Sequence, residues 1–274
     1  MKFSKLLPVL LFVIRLSAMA QEVSPTPKSN LQVAVKRALK RASEQIDYVV
    51  SERIESNINN KTRVDTFEVT LYKGEESYRK VKKDGKLGRP KTASKTKAKA
   101  GSSDEWFSDL LMVIKPEADA KIDFVGRQVL GNRPVDVYHF KVEKEYSELG
   151  ISYYGFLPKK RKDVVPFEGE LLVGSDNEIY QLRFRALEIP KKNVFISAEK
   201  TVNYDYVRFA GMDEEYFVPT GAEVRAHIRG AIYLINTISF RNYRVFGTGL
   251  KIKLERTIPE EIEALNFKIT IPSL

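Results

Sequence analysis

The chain has 274 residues, a net charge of +10 and no cysteine. Without cysteine it can form neither a disulfide nor a thiol-linked lipid anchor, so its stability must come from a packed core. Hydrophobic residues make up 43% of the chain and aromatic residues 11%, which is typical of a globular protein. The length allows one large domain or two small ones.

The first twenty residues have the pattern of a secretory signal peptide. Two lysines precede an apolar run over residues 6–16, and Ala18 and Ala20 stand at the two positions that a signal peptidase reads. Cleavage is expected before Gln21. A retained anchor is the alternative, but the run is shorter than the roughly 20 residues that span a bilayer. The pattern predicts an exported protein of the periplasm or cell envelope, away from ATP, NAD and nucleic acid.

Two helices are predicted in the first half of the chain. Residues 21–30 contain two prolines and two serines and are expected to form a disordered lead-in. Over residues 31–46, apolar side chains recur at spacings of 4, 4, 3 and 4, which is typical of a helix with one apolar face. A second helix is predicted within residues 102–116, with Trp106 and Leu110 on its apolar side.

Most of the remaining chain alternates apolar and polar residues with a period of two, as half-buried β-strands do. Clear examples are residues 66–71 and 178–189, and the last strands are predicted at 250–254 and 267–271. Strands that are neighbours in sequence usually pair. We therefore predict a mainly β (α+β) fold, a curved antiparallel meander sheet or unclosed β-barrel of about 11 strands with two covering helices. Pro219 predicts an edge strand or a bulge.

Basic residues are concentrated in predicted loops. Residues 83–102 are expected to form a mobile basic loop within a single β-rich domain that covers residues 31–274. For an exported protein, the anionic partners would be phospholipid headgroups, lipopolysaccharide or cell-wall polymers. The alternative is that these residues only keep the loops soluble. The candidate residues for an anionic surface are Lys86, Arg89, Lys91, Lys95, Lys97, Lys99, Lys159, Lys160, Arg161 and Lys162.

No catalytic, metal-binding or phosphate-binding motif is recognisable. There is no cysteine and no Gly-x-Ser-x-Gly elbow, and the only two histidines, His139 and His227, each lie within a strand pattern. We therefore expect a protein that is not an enzyme, holds no cofactor or metal, and has no nucleic-acid partner. An enzyme without a recognisable motif is the alternative.

The order of these elements resembles the LolA/LolB-type lipoprotein-carrier fold, an unclosed β-barrel whose open, apolar side is covered by helices. Residues 125–135 are similar to the strand-Gly-Arg-strand hairpin of such proteins, and residues 169–179 to their hairpin with an acidic turn. The similarity covers residues 31–256. Lipoprotein carriers, lipid-binding proteins and regulators of envelope stress share this fold, so it does not by itself fix the function.

The resemblance and the apolar patterning favour a non-catalytic, monomeric protein that binds a lipid or a lipoprotein acyl chain between the curved sheet and its helices. Docking onto an anionic membrane or cell-wall polymer through the basic loops is the alternative, and an outer-membrane barrel of ten to twelve strands is a further one. Each candidate side chain of the pocket would also suit an ordinary core. The candidates are Leu39, Trp106, Leu110, Tyr138, Phe140, Leu182, Phe184 and Phe240.

When the full chain is produced in a bacterial host, we expect the mature protein to begin at Gln21. Ala20 stands directly before the cleavage point, so the large charged side chain of an Ala20→Glu variant should block processing. Measurement of the intact mass separates the two forms. A wild-type protein that retains residues 1–20 would contradict the prediction.

Overall fold

The computed structural model describes residues 26–44, 46–72, 75–81, 91–92, 107–152 and 162–246. The predicted signal peptide and Trp106 lie outside the described residues. So do most of the basic loop and the strands predicted at the carboxyl end. Within the described part of the chain, no helix is long and apolar enough to cross a membrane.

The described residues form two α-helices and thirteen β-strands. The helices are α1 (Pro27–Ser43) and α2 (Phe107–Ile114). The strands are β1 (Tyr48–Ile58), β2 (Lys61–Tyr72), β3 (Glu75–Lys80), β4 (Lys91–Thr92), β5 (Lys121–Leu130), β6 (Arg133–Val142), β7 (Gly150–Ser152), β8 (Lys162–Val164), β9 (Phe167–Gly174), β10 (Ile179–Ala186), β11 (Phe195–Arg208), β12 (Glu215–Ile228) and β13 (Ile232–Val245).

Eleven strands form one antiparallel sheet in the order β4-β3-β2-β1-β13-β12-β11-β10-β9-β6-β5. The edge strands β4 and β5 do not pair with each other, so the sheet is not closed within the described residues. Strands β7 and β8 form a separate pair. The predicted mainly β fold, an unclosed curved sheet with two helices, is confirmed. It departs from a simple meander where β13 returns to pair with β1 and where β6 pairs with β9.

Helix α1 begins earlier in the chain than the apolar spacing predicted. The Thr26 hydroxyl accepts a hydrogen bond from the backbone N–H of Ser29, and Pro27 fills the first helical position, where no intrahelical N–H donor is needed. These two residues belong to the predicted lead-in over residues 21–30. The prolines and serines of that segment indicated a loop. A capping residue followed by proline can also begin a helix, and composition alone does not distinguish the two cases.

Both helices cover the same side of the sheet, which is the inner face. Side chains alternate across a strand, so the opposite set of residues forms the outer face. The apolar sides of α1 and α2 and the inner face share one buried apolar cluster. Its helical members are Leu31, Ala34, Val35, Ala38, Phe107, Leu110, Val113 and Ile114.

A carboxylate in the turn between β9 and β10 holds α1 against the sheet. Glu178 is almost fully buried, and Arg41 donates to both of its oxygens, one of them at 2.7 Å. The Tyr206 hydroxyl donates to Glu178 at 2.9 Å, and Arg37 donates to the backbone oxygen of Asp176 at 2.6 Å. Burial, and next the hydrogen bond to Glu178, raise the pKa of Tyr206. This cluster ties the carboxyl half of α1 to the sheet.

A second polar contact ties the start of α1 to β6. The Asn30 amide donates to the Asp136 carboxylate at 2.9 Å, and the Tyr138 hydroxyl donates to the backbone oxygen of Pro27 at 2.6 Å. The other carboxylate oxygen of Asp136 accepts from Arg127 at 2.8 Å. Helix α1 is therefore fixed to the sheet at both of its ends.

Pro219 lies inside the sheet and not at its edge, because β12 is flanked by β11 and β13. The predicted edge position is wrong and the predicted bulge is correct. Tyr204 pairs with Pro219 and the preceding Asn203 pairs with Gly221, so one residue of β12 is left over. The Pro219 backbone oxygen accepts a hydrogen bond from the buried Tyr243 hydroxyl.

We expect Glu178→Ala to lower the free energy of unfolding by about 2–3 kcal/mol. The change leaves the half-buried Arg41 guanidinium without its carboxylate partner. Glu223→Ala, which removes a carboxylate from a more exposed pair on the outer face, is the matched control and should change the value by less than about 1 kcal/mol. Equal effects of the two variants in urea unfolding would show that α1 does not depend on the Glu178 cluster.

Candidate functional site

The structure brings together the predicted pocket residues that it describes. Six of them lie in the main apolar cluster of the inner face, Leu39 packs against its border, and Trp106 lies outside the described residues. The six are Leu110, Tyr138, Phe140, Leu182, Phe184 and Phe240. Their rings pack closely, as Phe167 shows with edge-on contacts to Phe140 at 5.9 Å and to Phe184 at 5.7 Å. That they line a ligand site stays a prediction.

A row of polar side chains divides the inner face into two apolar regions. On β11, Lys200 lies between Ala198, which packs in a smaller second cluster, and Val202 of the main cluster. Val224 of β12 pairs with Lys200 on one side and with Asn236 of β13 on the other. Residues paired across strands point to the same face, so Lys200 and Asn236 belong to one row.

Lys200 is paired with a carboxylate from helix α2. The Lys200 ammonium nitrogen lies 2.5 Å from Asp109 Oδ2, and each side chain is only 8% exposed. Beside this pair, the Phe107 ring of α2 stacks on Tyr204 of β11 with centroids 6.1 Å apart. A buried ion pair is seldom more stabilising than an apolar pair of similar volume, so Lys200 and Asp109 are candidates for a specific role.

A further carboxylate is buried on the inner face of β1. Glu52 is 1% exposed, and its partners in register are Phe67 of β2 and Phe240 of β13. Burial, and next the charge of Glu52, raise the pKa of Tyr243. The inner face is thus mainly apolar and contains a few buried polar groups, which is the usual composition of a site for an amphiphilic ligand.

The outer face has a groove of about 570 Å³ across strands β6 to β12. Paired residues along one row of it alternate in charge: Lys141, Glu168, Arg185, Glu199 and Arg225. The Arg185 Nε–Glu168 Oε1 distance is 2.9 Å, and hydrogen bonding to Glu168 raises the pKa of Arg185. Because each charge has an opposite neighbour, the row presents little net field to a ligand.

The two histidines lie on the outer face, apart from each other. His139 Nε2 is 3.9 Å from Glu168 Oε2, and the His227 ring stacks on Tyr233 with centroids 4.4 Å apart. Among the residues that the structure describes, no group of three or more His, Asp or Glu side chains is placed to hold a metal ion.

Of the ten basic residues predicted to form an anionic surface, eight lie outside the described residues. Only the backbone is described for the other two, Lys91 in β4 and Lys162 in β8. The strand at Lys91 corrects the prediction of a continuous loop over residues 83–102, because Thr92 pairs with Ser77 of β3. Pairing with an existing sheet edge is a non-local contact that local composition does not reveal.

No family model matches the chain, and no curated protein matches it. A LolA superfamily protein from Nitrosomonas europaea is similar to it at 10% identity and a TM-score of 0.40, covering 83% of this chain and 96% of that one. A DUF1329 family protein from Desulfovibrio piger is similar at 11% identity and a TM-score of 0.41, covering 81% and 94%. A domain named for outer membrane lipoprotein sorting, from Vibrio parahaemolyticus, is similar at 10% identity and a TM-score of 0.40, covering 79% and 94%. The distant LolA-like resemblance that the sequence predicted is found among solved structures, and it concerns the fold alone.

Sequence reasoning missed the polar row on the inner face. Its signal is a polar residue in the apolar phase of a strand: Lys200 takes the position that Ala198, Val202 and Tyr204 occupy along β11. The sequence did not single out the partner Asp109, which lies on the buried side of α2. A lysine at an apolar position of a strand can be a buried side chain, or it can mark a shift in the alternation of the strand. The sequence pattern alone does not distinguish these two cases.

We expect Lys200→Met to lower the free energy of unfolding by about 3–5 kcal/mol, because it leaves the Asp109 carboxylate buried without its ammonium partner. The double variant Lys200→Met/Asp109→Leu should recover most of this loss, since two apolar side chains replace the pair. Arg185→Met on the outer face is the matched control for loss of one positive charge. Additive losses in the double variant would show that the two groups are not energetically coupled.

Proposed function

We propose that this protein is exported and that, without catalysing a reaction, it binds a lipid or acyl ligand between the inner face of the sheet and its helices. The observation that supports this most is the unclosed sheet with a mainly apolar inner face, covered by two separate helices. Ligand pockets are mainly apolar with a few placed polar groups, and the inner face has that composition.

The two helices differ in what holds them. Helix α1 has 17 residues and is tied to the sheet through Glu178 at one end and Asp136 at the other. Helix α2 is described over Phe107–Ile114, and Asp109 within it forms a buried ion pair with Lys200 of the sheet. Because α1 is tied at both of its ends, we assign it as a fixed part of the wall and infer that α2 is the element that moves aside.

The free energy lost when the apolar side chains of α2 leave the inner face is comparable to the free energy that an acyl chain gains there. Helix α2 buries Phe107, Leu110, Val113 and Ile114, and burial of each is worth roughly 1.5–3 kcal/mol. An acyl chain gains about 0.8 kcal/mol for each buried CH₂ group, so a chain of about 8–15 methylene groups offsets the displacement of these four side chains. A ligand with a chain of that length can take the place of α2 on the inner face.

The cellular part of the proposal rests on the amino-terminal pattern. Export to the periplasm or envelope is supported by three features: two lysines, the apolar run over residues 6–16 and the small residues before Gln21. The partner would be a free lipid or the acyl chain of a lipoprotein, bound by a monomer. Docking of the basic loops on anionic surfaces stays the alternative, and it predicts binding that falls as salt rises.

The deciding experiment is native mass spectrometry of residues 21–274, expressed to the periplasm, followed by lipid extraction. We expect a monomer with a bound lipid whose mass identifies its class. An empty monomer that also takes up no fluorescent fatty acid would contradict the proposal. Salt-sensitive binding of that empty protein to anionic vesicles would favour the alternative.

Hydrogen exchange tests which helix moves. On addition of oleate, we expect backbone amides of α2, over Phe107–Ile114, to exchange faster, because α2 leaves the inner face. Amides of α1, over Pro27–Ser43, should keep their protection and serve as the internal control. Faster exchange in α1 with unchanged α2 would reverse the assignment of the moving helix.

A further inference from the structure

We propose that the exposed side of helix α1 docks on the surface of an anionic phospholipid bilayer. This outward side of α1 consists of Val33, Lys36, Arg37 and Lys40, which face solvent. Such docking goes beyond the proposed function, because it concerns the solvent side of the cover and not the inner face of the sheet.

The four residues form one continuous side of the helix. They stand at positions i, i+3, i+4 and i+7 of α1, and residues at these spacings are neighbours on a helix surface. Val33 is 42% exposed, and the side chains of Arg37 and Lys40 are 49% and 53% exposed. The outward side of α1 therefore presents three basic side chains around one exposed aliphatic side chain.

The positive charge of the outward side is only partly neutralised by its neighbours. Helix α1 contains five basic residues and no acidic one. The described residues provide no ion-pair partner for Lys36, and Lys40 pairs at 3.9 Å with Glu44, which is itself exposed. Arg37 shares the single carboxylate of Glu178 with Arg41. This excess of positive charge is complementary to an anionic surface.

Val33 favours a bilayer over other polyanions. A bilayer with anionic lipids has phosphate groups at its surface and apolar chains directly beneath them, so it suits an aliphatic side chain among basic ones. A nucleic acid or a phosphate-rich polymer would pair with the basic side chains but would leave Val33 in water. The partner that fits both features is therefore an anionic phospholipid surface.

The outward side is also held in a fixed position. Asn30 ties the start of α1 to Asp136, and Arg41 ties its carboxyl half to Glu178. The basic side chains are therefore presented from a backbone that does not have to be ordered on binding. The row of charges on the outer face of the sheet differs, because Arg185 there already pairs with Glu168.

Binding to vesicles tests the role of the basic side chains. For the mature protein, residues 21–274, we expect at least about tenfold tighter binding to vesicles of equal parts phosphatidylcholine and phosphatidylglycerol than to phosphatidylcholine alone. Rising salt should weaken this binding, since exposed charges are screened. Sedimentation of the protein with the vesicles measures both effects.

Variants of equal charge separate α1 from the predicted basic loop. Each basic side chain near an anionic surface strengthens binding roughly fivefold, so Lys36→Gln/Lys40→Gln should weaken it about 25-fold. Glutamine has the helix propensity of lysine, so α1 is preserved. Lys36→Arg/Lys40→Arg should retain binding. Lys95→Gln/Lys97→Gln, with the same loss of charge in the loop, is the matched control and should change binding by less than about twofold.

A single label tests which side of the protein meets the bilayer. Because the chain has no cysteine, Val33→Cys accepts an environment-sensitive dye at that position alone. Tyr233→Cys places the same dye on the outer face, where Tyr233 is 59% exposed. With anionic vesicles, we expect the emission at position 33 to rise and shift to shorter wavelength while that at position 233 stays constant. A shift at position 233 alone would overturn docking through α1.

The vesicle experiment and the native mass spectrometry can fail independently. Unchanged binding of Lys36→Gln/Lys40→Gln, an equal or larger loss in the loop variant, or no binding of the wild-type protein overturns docking through α1. None of these results affects a lipid found by native mass spectrometry. A protein that carries no lipid and still requires Lys36 and Lys40 to bind vesicles contradicts the proposed function and supports docking.

Discussion

Burial of the inner face of the sheet is the constraint on which the rest of the structure depends. A curved sheet of eleven strands with one apolar face cannot leave that face in water, and without cysteine the chain has no covalent means to stabilise it. The two helices supply the cover. Their apolar sides complete one cluster with the sheet, and the stability of the domain follows from that contact.

Polar contacts then decide how firmly each part of the cover is held. Glu178 and Asp136 fix α1 at both ends through partners that lie on the sheet. On α2, Asp109 forms a buried ion pair with Lys200 of the sheet. A pair of this kind adds little net stability but penalises any state that separates it without replacement. We propose on this basis that α1 is a fixed part of the wall and that α2 is the element that moves aside for a ligand.

The sequence predicted some elements better than others, for reasons that are local. The alternation of apolar and polar residues over 178–189 identified β10, because a period of two can be seen without knowing which strands pair with it. The start of α1 was placed too late, since the apolar spacing begins at Leu31 whereas the cap is formed by Thr26 and Pro27. For Pro219 the bulge was foreseen, but the internal position of β12 depends on strand order, which local patterns do not contain.

The sequence by itself determined the fold class, the apolar phase of the strands and the residues of the core. Phe140, Leu182 and Phe184 were predicted to lie together, and they do, because hydrophobic period and burial are linked by geometry. The tertiary structure alone decided that Lys200 faces Asp109 within that core, since the two residues are far apart in the chain and meet only when α2 packs on β11. Local patterns assign a residue to a face, but only packing assigns it a partner.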